Sequence, residues 1–295
     1  MASPDLAQRR KLVLATRKSR LALVQTELVA EALRKACPDK QVEPLKLVTS
    51  GDARKGWSLE QKGGKGLFTK ELEDALLDGR ADAAIHSAKD LPTEMDDRLE
   101  VAGFLPRAPV ADVLVYREDT PVPQALATSS PRRRQQAKHL FPNAVWCEIR
   151  GNVETRLRKI QGGHADGTIL AEAGLTRLGI MPPEGLKFRT IPMRCMVPAA
   201  GQGAIAVQCR AGEAAFFEPI LCPDTARAVR LERAFLARMG GGCQIAMGVH
   251  YSGSVLDIYH EDWGHHTFNV PTEKAEAVDE TVDHYLETIR KTLKR

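Results

Sequence analysis

The sequence predicts an α/β protein with two lobes built on the same plan and a small third domain. A chain of 295 residues is too long for one simple core and is typical of two or three domains. Short apolar segments with the length of strands alternate with segments of helical periodicity, which favours mainly parallel sheets covered by helices. The same order of strand, turn and helix occurs twice, and this repetition predicts two similar lobes.

The first lobe is predicted from a strand, a basic turn and an amphipathic helix near the N-terminus. Lys11–Thr16 is an apolar run with the length of a buried strand, and Arg17–Ser19 follows it. The next helix has apolar residues near one face: Leu21, Val24, Leu28 and Leu33. Further on, a helix over Leu67–Asp78 ends at Gly79, the usual kind of helix terminator, and leads to a strand over Ala83–His86.

The second lobe repeats this order. A strand over Ala125–Thr128 leads into a helix that Ser130 can cap, with Pro131 at its first position. A helix over Val153–Gln161 then ends at glycine and precedes a strand over Thr168–Ala171. In α/β lobes of this kind, ligands bind beyond the carboxyl ends of strands and against helix N-termini. We therefore predict two periplasmic-binding-protein-like lobes with mainly parallel sheets around a cleft, plus a small C-terminal α/β domain.

The third region starts near residue 222. Asp224 or Thr225 can cap a helix that runs to Met239, where three glycines end it. Gln244–Val270 alternates like short strands, and Thr272–Leu293 has the periodicity of a final amphipathic helix.

Bulk composition excludes several classes of protein. The formal net charge of +4 is far below that of a histone-like nucleic-acid binder. Six cysteines form no Cys-x-x-Cys pair and no zinc-finger spacing, so we expect reduced thiols, a cytoplasmic location and no metal site. The first apolar run, Leu12–Ala15, is too short for a signal peptide, and no window approaches the length of a membrane span.

Basic side chains cluster at three predicted strand-to-helix turns. The clusters are Arg17-Lys18, Arg132-Arg133-Arg134, and Arg150 with Arg156 and Arg158. A cation in the first turn of a helix opposes the helix dipole, at a cost of roughly 0.3–1 kcal/mol each. A bound anion removes this conflict, and arginine forks favour bidentate carboxylates. We predict a ligand with several carboxylates or phosphates; the alternative is a solvated basic face paired with acidic neighbours.

Asp90 is an acidic residue at the end of the predicted strand over Ala83–His86, where we expect basic surroundings. A carboxylate held ionised there could stabilise a cationic intermediate or move a proton. The alternative, which this short segment by itself favours, is a turn pair with Lys89. His86 lies on the apolar strand and is expected to be a hydrogen-bonded core histidine.

Cys243 directly follows three glycines, so we expect it on a loop that a bulky group can approach. It is a candidate nucleophile or attachment thiol, and an inert buried thiol is the alternative. Gly201–Ala206 matches a dinucleotide fingerprint but leads into a predicted strand over Ile205–Cys209 instead of a helix, so we reject that motif.

Taken together, these segments resemble the porphobilinogen deaminase (hydroxymethylbilane synthase) family. Each motif alone is weak, but the set occurs in the family's order from about Leu12 to Gly248. The motifs are Ala15-Thr-Arg-Lys-Ser19, Gly63-Gly-Lys-Gly-Leu-Phe68, His86-Ser-Ala-Lys-Asp90, Thr128-Ser-Ser-Pro-Arg-Arg133, Arg150-Gly-Asn-Val153, Ala173-Gly-Leu-Thr-Arg-Leu-Gly179, Gly201-Gln-Gly-Ala204 and Gly241-Gly-Cys-Gln244.

The resemblance implies a transferase that polymerises four porphobilinogen units into linear hydroxymethylbilane, with release of ammonia, in tetrapyrrole (heme or chlorophyll type) biosynthesis. It implies a covalent dipyrromethane cofactor joined by a thioether to Cys243, and a cytoplasmic monomer with no nucleic-acid or membrane partner. The implied catalytic residues are Asp90 and Lys89. The implied cofactor-binding residues are Cys243, Lys89, Asp90, Thr128, Ser130, Arg132, Arg133, Arg150 and Asn152. The implied substrate-binding residues are Arg17, Ser19, Gln25, Arg150 and Arg156.

The predicted domains are residues 10–104 plus 199–221 for the first lobe, 105–198 for the second lobe and 222–295 for the C-terminal domain, which carries the cofactor cysteine. The chain departs from the family pattern at several positions, including Ala88 in place of methionine and the atypical segment Leu105–Asp112 between the lobes.

Two other classes of function remain open. A non-catalytic solute-binding or ligand-sensing protein could use the same arginines, but it would need neither Asp90 nor Cys243. Arg132–Arg134 could instead be a nucleic-acid patch, against which the mild net charge and the lack of a recognisable nucleic-acid module weigh.

Overall fold

The computed structural model describes residues 6–53, 68–241 and 245–293. Contacts within the chain divide these residues into two compact units. The first unit contains residues 6–53, 68–108 and 204–226, and the second contains residues 109–203, 227–241 and 245–293. The second unit combines residues of the predicted second lobe with most of the predicted C-terminal domain. The division into three domains therefore remains a prediction. In the described part of the chain, no helix combines the length and the apolar character needed to cross a membrane.

The secondary structure alternates between strands and helices. The strands are β1 (Lys11–Arg17), β2 (Gln41–Leu47), β3 (Ala83–Ser87), β4 (Leu99–Phe104), β5 (Asp112–Arg117), β6 (Ala125–Ala127), β7 (Val145–Cys147), β8 (Gly167–Ala171), β9 (Leu186–Ile191), β10 (Ile205–Arg210), β11 (Met247–Tyr251), β12 (Val255–His260) and β13 (Gly264–Asn269). The helices are α1 (Arg20–Ala36), α2 (Ser50–Ala53), α3 (Lys70–Leu77), α4 (Pro131–Leu140), α5 (Val153–Gln161), α6 (Glu172–Arg177), α7 (Pro223–Arg238), α8 (Thr272–Glu276) and α9 (Val278–Leu293). Short 3-10 helices cover Leu6–Gln8, Ala88–Asp90 and Ala214–Ile220.

Two five-stranded sheets share one topology. The first sheet has the order β2-β1-β3-β10-β4 and the second has the order β7-β6-β8-β5-β9. In the first, β1 pairs in parallel with β2 and β3, and only β10 runs against its neighbours. In the second, β6 pairs in parallel with β7 and β8, and only β5 runs against its neighbours. Four strands of each sheet therefore point the same way, which confirms the predicted α/β fold of two mainly parallel lobes.

An aspartate after the helix glycine makes the same contact in both units. The Asp82 carboxylate accepts the Val13 N–H at 2.8 Å, beside the start of β1. The Asp166 carboxylate accepts the Ala125 N–H at 2.8 Å, at the start of β6. In each unit, this hydrogen bond from a backbone N–H to an aspartate carboxylate fixes where the first strand begins relative to its parallel neighbour. The repeated plan seen in the sequence thus corresponds to a repeated local structure.

Helix α1 buries a different face from the one its leucines predicted. Ser19 caps the helix by accepting the Ala22 N–H at 3.3 Å. Leu28 is 39% exposed, whereas the buried positions of the helix are Ala22, Gln25, Thr26, Val29, Ala30 and Leu33. Apolar character alone misplaced the face, because Gln25 and Thr26 become buried only by hydrogen bonding to Ser87 and to the Ala22 carbonyl.

The C-terminal part of the second unit packs two long helices against an antiparallel sheet in the order β11-β12-β13. Its core includes Phe235, Tyr251, Ile258, Val282 and Ile289. The predicted caps are wrong, because α7 begins at Pro223, ahead of Asp224 and Thr225, as proline at a first helical position allows. The predicted final helix is interrupted at Ala277, which separates α8 from α9.

A tightly packed glycine of β11 gives a stability test. A Cβ at Gly248 would lie 2.5 Å from the carbonyl oxygen of Val197, which is backbone and cannot rotate away. We expect Gly248→Ala to lower the free energy of unfolding by about 1–3 kcal/mol. Thermal unfolding would measure this. Gly103→Ala in β4 is the matched control, because its Cβ would meet the mobile Cδ1 of Leu221 at 2.7 Å. Equal losses in the two variants would contradict the packing argument.

Candidate active site

A cavity in the first unit gathers four of the residues singled out from the sequence. Arg17, Ser19, Gln25 and Asp90 line it, and the other lining residues are Leu21, Ala22, Phe68, Ile85, His86 and Ser87. Its empty volume is about 410 Å³, including the part open to solvent. Arg17, Ser19 and Gln25 come from the continuous segment of β1 and α1, whereas the fold brings Asp90 to them from a distant part of the sequence.

Two neighbouring parallel strands place these side chains at one edge of the first sheet. β1 ends at Arg17, and Ser19 then caps α1. β3 ends at Ser87, and a 3-10 turn over Ala88–Asp90 follows at once. Because β1 and β3 are parallel, their carboxyl ends lie at the same edge, where ligands bind in α/β sheets. The position of Asp90 opposite Arg17 and Ser19 is a consequence of this pairing.

Hydrogen bonds and a cation–aromatic contact hold the cavity wall. The Gln25 amide nitrogen donates to the Ser87 hydroxyl at 2.9 Å, which joins α1 to the end of β3. The guanidinium carbon of Arg17 lies 4.3 Å from the ring centre of Phe68. Stacking of this kind favours one orientation of an arginine fork. These contacts give Arg17 and Gln25 defined positions beside Asp90.

His86 is a neutral component of the same wall. Its side chain is buried, and its Nε2 lies 2.9 Å from the Oε1 of Gln208, so Nε2 donates in this pairing. Burial lowers the pKa of His86 from 6.5 to about 4, the Gln208 hydrogen bond opposes this shift, and the positive charge of Arg17 adds to it. His86 is thus the hydrogen-bonded core histidine that the sequence indicated, and it adds no positive charge near neutral pH.

Lys89 lies in the same 3-10 turn as Asp90 and is partly exposed. Lys89 is not one of the described residues that line the cavity, although it directly precedes Asp90, which does line it.

In the second unit, Arg132 and Arg133 are buried and face one carboxylate. Arg132 Nη2 donates to Asp112 Oδ2 at 2.7 Å, while Arg133 Nε and Nη2 donate to Asp112 Oδ1 at 3.0 and 2.8 Å. Arg132 Nη1 also donates to the Val197 carbonyl, and Arg133 Nη1 donates to the Ile169 carbonyl. Burial lowers the pKa of Arg132, and the charge of Asp112 opposes that shift. Arg132 and Arg133 are therefore paired with an acidic neighbour, as in the alternative interpretation of the sequence. The cluster is, however, buried and not a solvated face.

The turn before α4 has the predicted cap. Ser130 accepts the Arg133 N–H at 3.4 Å, with Pro131 at the first helical position. The buried Thr128 hydroxyl accepts the Ser130 N–H at 3.1 Å, and Arg134 donates to the Thr128 carbonyl at 3.1 Å. These bonds fix the conformation of the turn that contains Thr128 and Ser130.

The turn before α5 contains an arginine with unused donors. Asn152 caps the helix by accepting the Thr155 N–H at 2.9 Å, and Arg156 Nε donates to the Gly151 carbonyl at 2.8 Å. Arg150 Nε and Nη2 are buried, and neither has a hydrogen-bond partner within the described residues. Two buried guanidinium donors without an acceptor are costly unless a ligand supplies one. This is the geometry that a carboxylate ligand would satisfy.

The sequence analysis assigned no role to three polar residues that the structure places in the interior or partly buried. Arg177 Nη2 donates to the Gly203 carbonyl at 2.6 Å, and burial lowers the Arg177 pKa to about 10. Asp112 and Gln202 are fully buried and hydrogen bonded to each other at 3.2 Å. Asp112 could have been noticed as a single acid at the head of the apolar run Val113–Val115, which forms most of β5. Cys243 and the residues 63–67 of the glycine-rich motif lie outside the described residues.

These features define a class of protein: an α/β protein of two similar lobes whose strand-to-helix turns carry arginine, serine and aspartate suited to a ligand with carboxylates. Residues 12–218 match a family model described as porphobilinogen deaminase, dipyromethane cofactor binding domain. The porphobilinogen deaminase of Chromobacterium violaceum is 41% identical over 246 residues, which cover 81% of this chain and 79% of that protein. Those of Geobacter metallireducens and a Nostoc species are each 40% identical, covering 84% and 85% of this chain and 80% of each relative. The chain belongs to the porphobilinogen deaminase family.

Membership makes the chain a transferase that forms hydroxymethylbilane from porphobilinogen, with dipyrromethane as its cofactor. The residues present fit that cofactor, which carries acetate and propionate side chains. Arg150 Nε and Nη2, which are buried without an acceptor among the described residues, are donors of the kind that bind carboxylates. The predicted family is confirmed.

The neutral His86 leads to a pH-dependent stability. Its pKa is about 4 in the folded chain and 6.5 in the unfolded chain, so the unfolded chain binds more protons between these values. The stabilisation is complete above about pH 6.5 and is lost as the pH falls towards about 4. We expect this residue to account for about 3 kcal/mol of the loss in unfolding free energy over that range.

Urea unfolding at a series of pH values would check the expectation with His86→Gln, which cannot titrate. The variant should show a shallower loss of stability towards acid than the parent. His139→Gln, at an exposed position of α4, is the control and should keep the parent slope. A parent-like slope in His86→Gln would mean that another group is responsible.

Proposed function

We propose that Asp90 is the acidic catalytic residue of this transferase, and that Arg17, Ser19 and Gln25 bind porphobilinogen beside it. The observation that carries the proposal is the shared cavity at the ends of β1 and β3. Each condensation breaks the bond to the aminomethyl nitrogen of a porphobilinogen unit, releases ammonia and joins the carbon to the growing chain. Ammonia loss leaves a positively charged azafulvene, so the reaction needs a negative group near the pyrrole nitrogen.

A carboxylate at the position of Asp90 suits that need. It can accept the pyrrole N–H and stabilise the positive charge as it develops, because fixed charges act strongly in a partly buried site. Neighbouring His86 stays neutral, with a pKa of about 4, so it does not compete for the carboxylate as a second cation. Lys89 in the same turn is proposed to support catalysis from the adjoining surface.

The basic residues are proposed to hold carboxylates. Each pyrrole unit carries two, so an elongating chain presents many anions to the protein. Arg17 in the first unit and Arg150 and Arg156 in the second are proposed to bind those of the substrate and the growing chain. Stacking on Phe68 already restricts the guanidinium group of Arg17, so this side chain loses little conformational entropy when a carboxylate binds.

The cofactor is proposed to be attached to Cys243 by a thioether. When bound, dipyrromethane supplies the pyrrole end to which porphobilinogen units are joined. The proposed non-covalent contacts are Lys89, Asp90, Thr128, Ser130, Arg132, Arg133, Arg150 and Asn152. Arg150 has two buried donors without a described acceptor, whereas Arg132 and Arg133 already donate to Asp112. We therefore propose that Arg150 makes a direct carboxylate contact and that the paired arginines act from a fixed, buried position.

Location and assembly are also part of the proposal. We propose a cytoplasmic monomer whose partner is porphobilinogen, without a nucleic-acid or membrane partner. The five cysteines of the described residues are all free thiols, which suits a reducing compartment. The net charge of +4 is mild for a protein that binds nucleic acid.

Replacing the proposed catalytic carboxylate should remove turnover. We expect Asp90→Ala to lower the rate of ammonia release from porphobilinogen by about 100-fold or more, because an electrostatic stabiliser of the transition state is lost. Thermal unfolding should be unchanged, since Asp90 is only partly buried. Asp97→Ala, at an exposed position seven residues further on, is the control and should keep the parent rate. A parent-like rate in Asp90→Ala would disprove the assigned role.

Intact mass of the purified protein tests the function most directly. We expect an added mass equal to dipyrromethane, which peptide mapping places on Cys243 and which Cys243→Ser lacks. Cys37→Ser, at the partly exposed C-cap of α1, is the matched thiol control and should keep the adduct. A bare polypeptide that gains no mass and releases no ammonia with porphobilinogen would contradict the proposed function. An adduct that persists in Cys243→Ser would contradict the attachment site only.

A further inference from the structure

Asp112 is the first residue of β5, and its carboxylate is completely buried between two arginines. We propose that Asp112 is a positioning residue that sets the geometry of Arg132 and Arg133 and thereby controls how readily the chain takes up its dipyrromethane. The inference rests on the proposed function, because it concerns the arginines assigned to cofactor binding. It assigns the role to a residue that touches neither substrate nor cofactor in the proposal.

The contacts fix both guanidinium planes. Arg133 directs two donors, Nε and Nη2, at the same Asp112 oxygen, at 3.0 and 2.8 Å. Arg132 directs Nη2 at the other oxygen, at 2.7 Å. Charge-assisted bonds of this fork type carry orientation as well as energy. Without the carboxylate, the two long arginine side chains would regain rotamer freedom and would no longer be held in one arrangement.

The balance of charge in this cluster is also suited to an incoming anion. One carboxylate lies between two guanidinium groups that are 5% and 7% exposed, so these three residues together carry one excess positive charge. Buried charge is poorly screened and favours an opposite charge nearby. Asp112 therefore neutralises one of the two positive charges, which allows the cluster to be buried. The remaining positive charge attracts a carboxylate.

The same carboxylate also holds a second segment of the unit. The Gln202 amide donates to Asp112 Oδ1 at 3.2 Å and to the Val110 carbonyl at 2.7 Å. Gln202 is fully buried between Gly201 and Gly203, whose φ angles are 72° and 85°. The Gly201 N–H in turn donates to the buried Glu232 at 2.7 Å. Asp112 is thus the shared acceptor that connects the start of α4 to the loop over residues 201–203.

Two substitutions separate the position of the carboxylate from its charge. Asp112→Asn keeps the shape but removes the charge, and Asp112→Glu keeps the charge but displaces it by one methylene. Asp82→Asn is the matched control: Asp82 is also a buried carboxylate between two arginines, Arg9 and Arg210, but it does not line the cavity of the first unit.

The readout is cofactor uptake per folded chain. Monomeric protein would be isolated by size-exclusion chromatography, and intact mass would give the fraction that carries dipyrromethane and the rate at which bare protein gains it from porphobilinogen. We expect both Asp112 variants to load about 10- to 100-fold more slowly than the parent, because small displacements of binding groups have effects of this size. Asp82→Asn should unfold at a lower temperature yet load at the parent rate.

Parent-like loading of Asp112→Asn would overturn the inference, and so would parent-like loading of Asp112→Glu, since charge alone would then suffice. If Asp112→Asn does not fold, Asp112→Glu decides by itself. Equally slow loading in Asp82→Asn would also overturn it, because any buried carboxylate would then have the same effect. A parent chain that neither loads nor releases ammonia would instead overturn the proposed function, and this inference with it.

Discussion

Each unit contains a buried carboxylate that pairs with arginines, and the structure around it depends on this pairing. In the first unit, Asp82 accepts from Arg9 and from the backbone of Val13, at the junction where β1 meets β3. In the second unit, Asp112 accepts from Arg132 and Arg133 at the start of β5. Removing one partner of a buried ion pair leaves an uncompensated charge in a poorly solvating interior. In the second unit, Arg132 and Arg133 can therefore be held inside the protein because Asp112 lies beside them.

This constraint also explains how a helix can begin with three cations. Arg132, Arg133 and Arg134 occupy the first turn of α4, where the helix dipole disfavours positive charge. Asp112 compensates the first two from a neighbouring strand, and the Thr128 carbonyl accepts from the third. The conflict visible in the sequence is thus resolved largely within the protein. Arg150 Nε and Nη2, by contrast, are buried without a hydrogen-bond partner within the described residues, and this is the reason that Arg150 is proposed to contact a ligand carboxylate.

The repeated αβ plan and most element positions were predictable because they depend on local patterns. Apolar runs marked β1, β3 and β10, glycines marked the ends of α3 and α5, and Ser130 with Pro131 marked the start of α4. The cavity was only partly predictable: the sequence named Arg17 and Asp90, but their proximity depends on the parallel pairing of β1 with β3. The buried face of α1 and the partner of Arg132 and Arg133 depend on contacts across many residues, which local periodicity does not contain.

The distribution of charge around Asp90 suits the proposed combination of carboxylate binding with catalysis. A site lined only by arginines would bind carboxylates well, but it would oppose a cationic intermediate. The first unit avoids this by keeping His86 neutral through burial, with a pKa of about 4, and by orienting Arg17 against Phe68. Asp90 then lies in the same cavity as a single arginine and the uncharged side chains of Ser19 and Gln25. In the proposed mechanism a cation is stabilised there, and Arg150 and Arg156, at the start of α5 in the second unit, bind carboxylates of the growing chain.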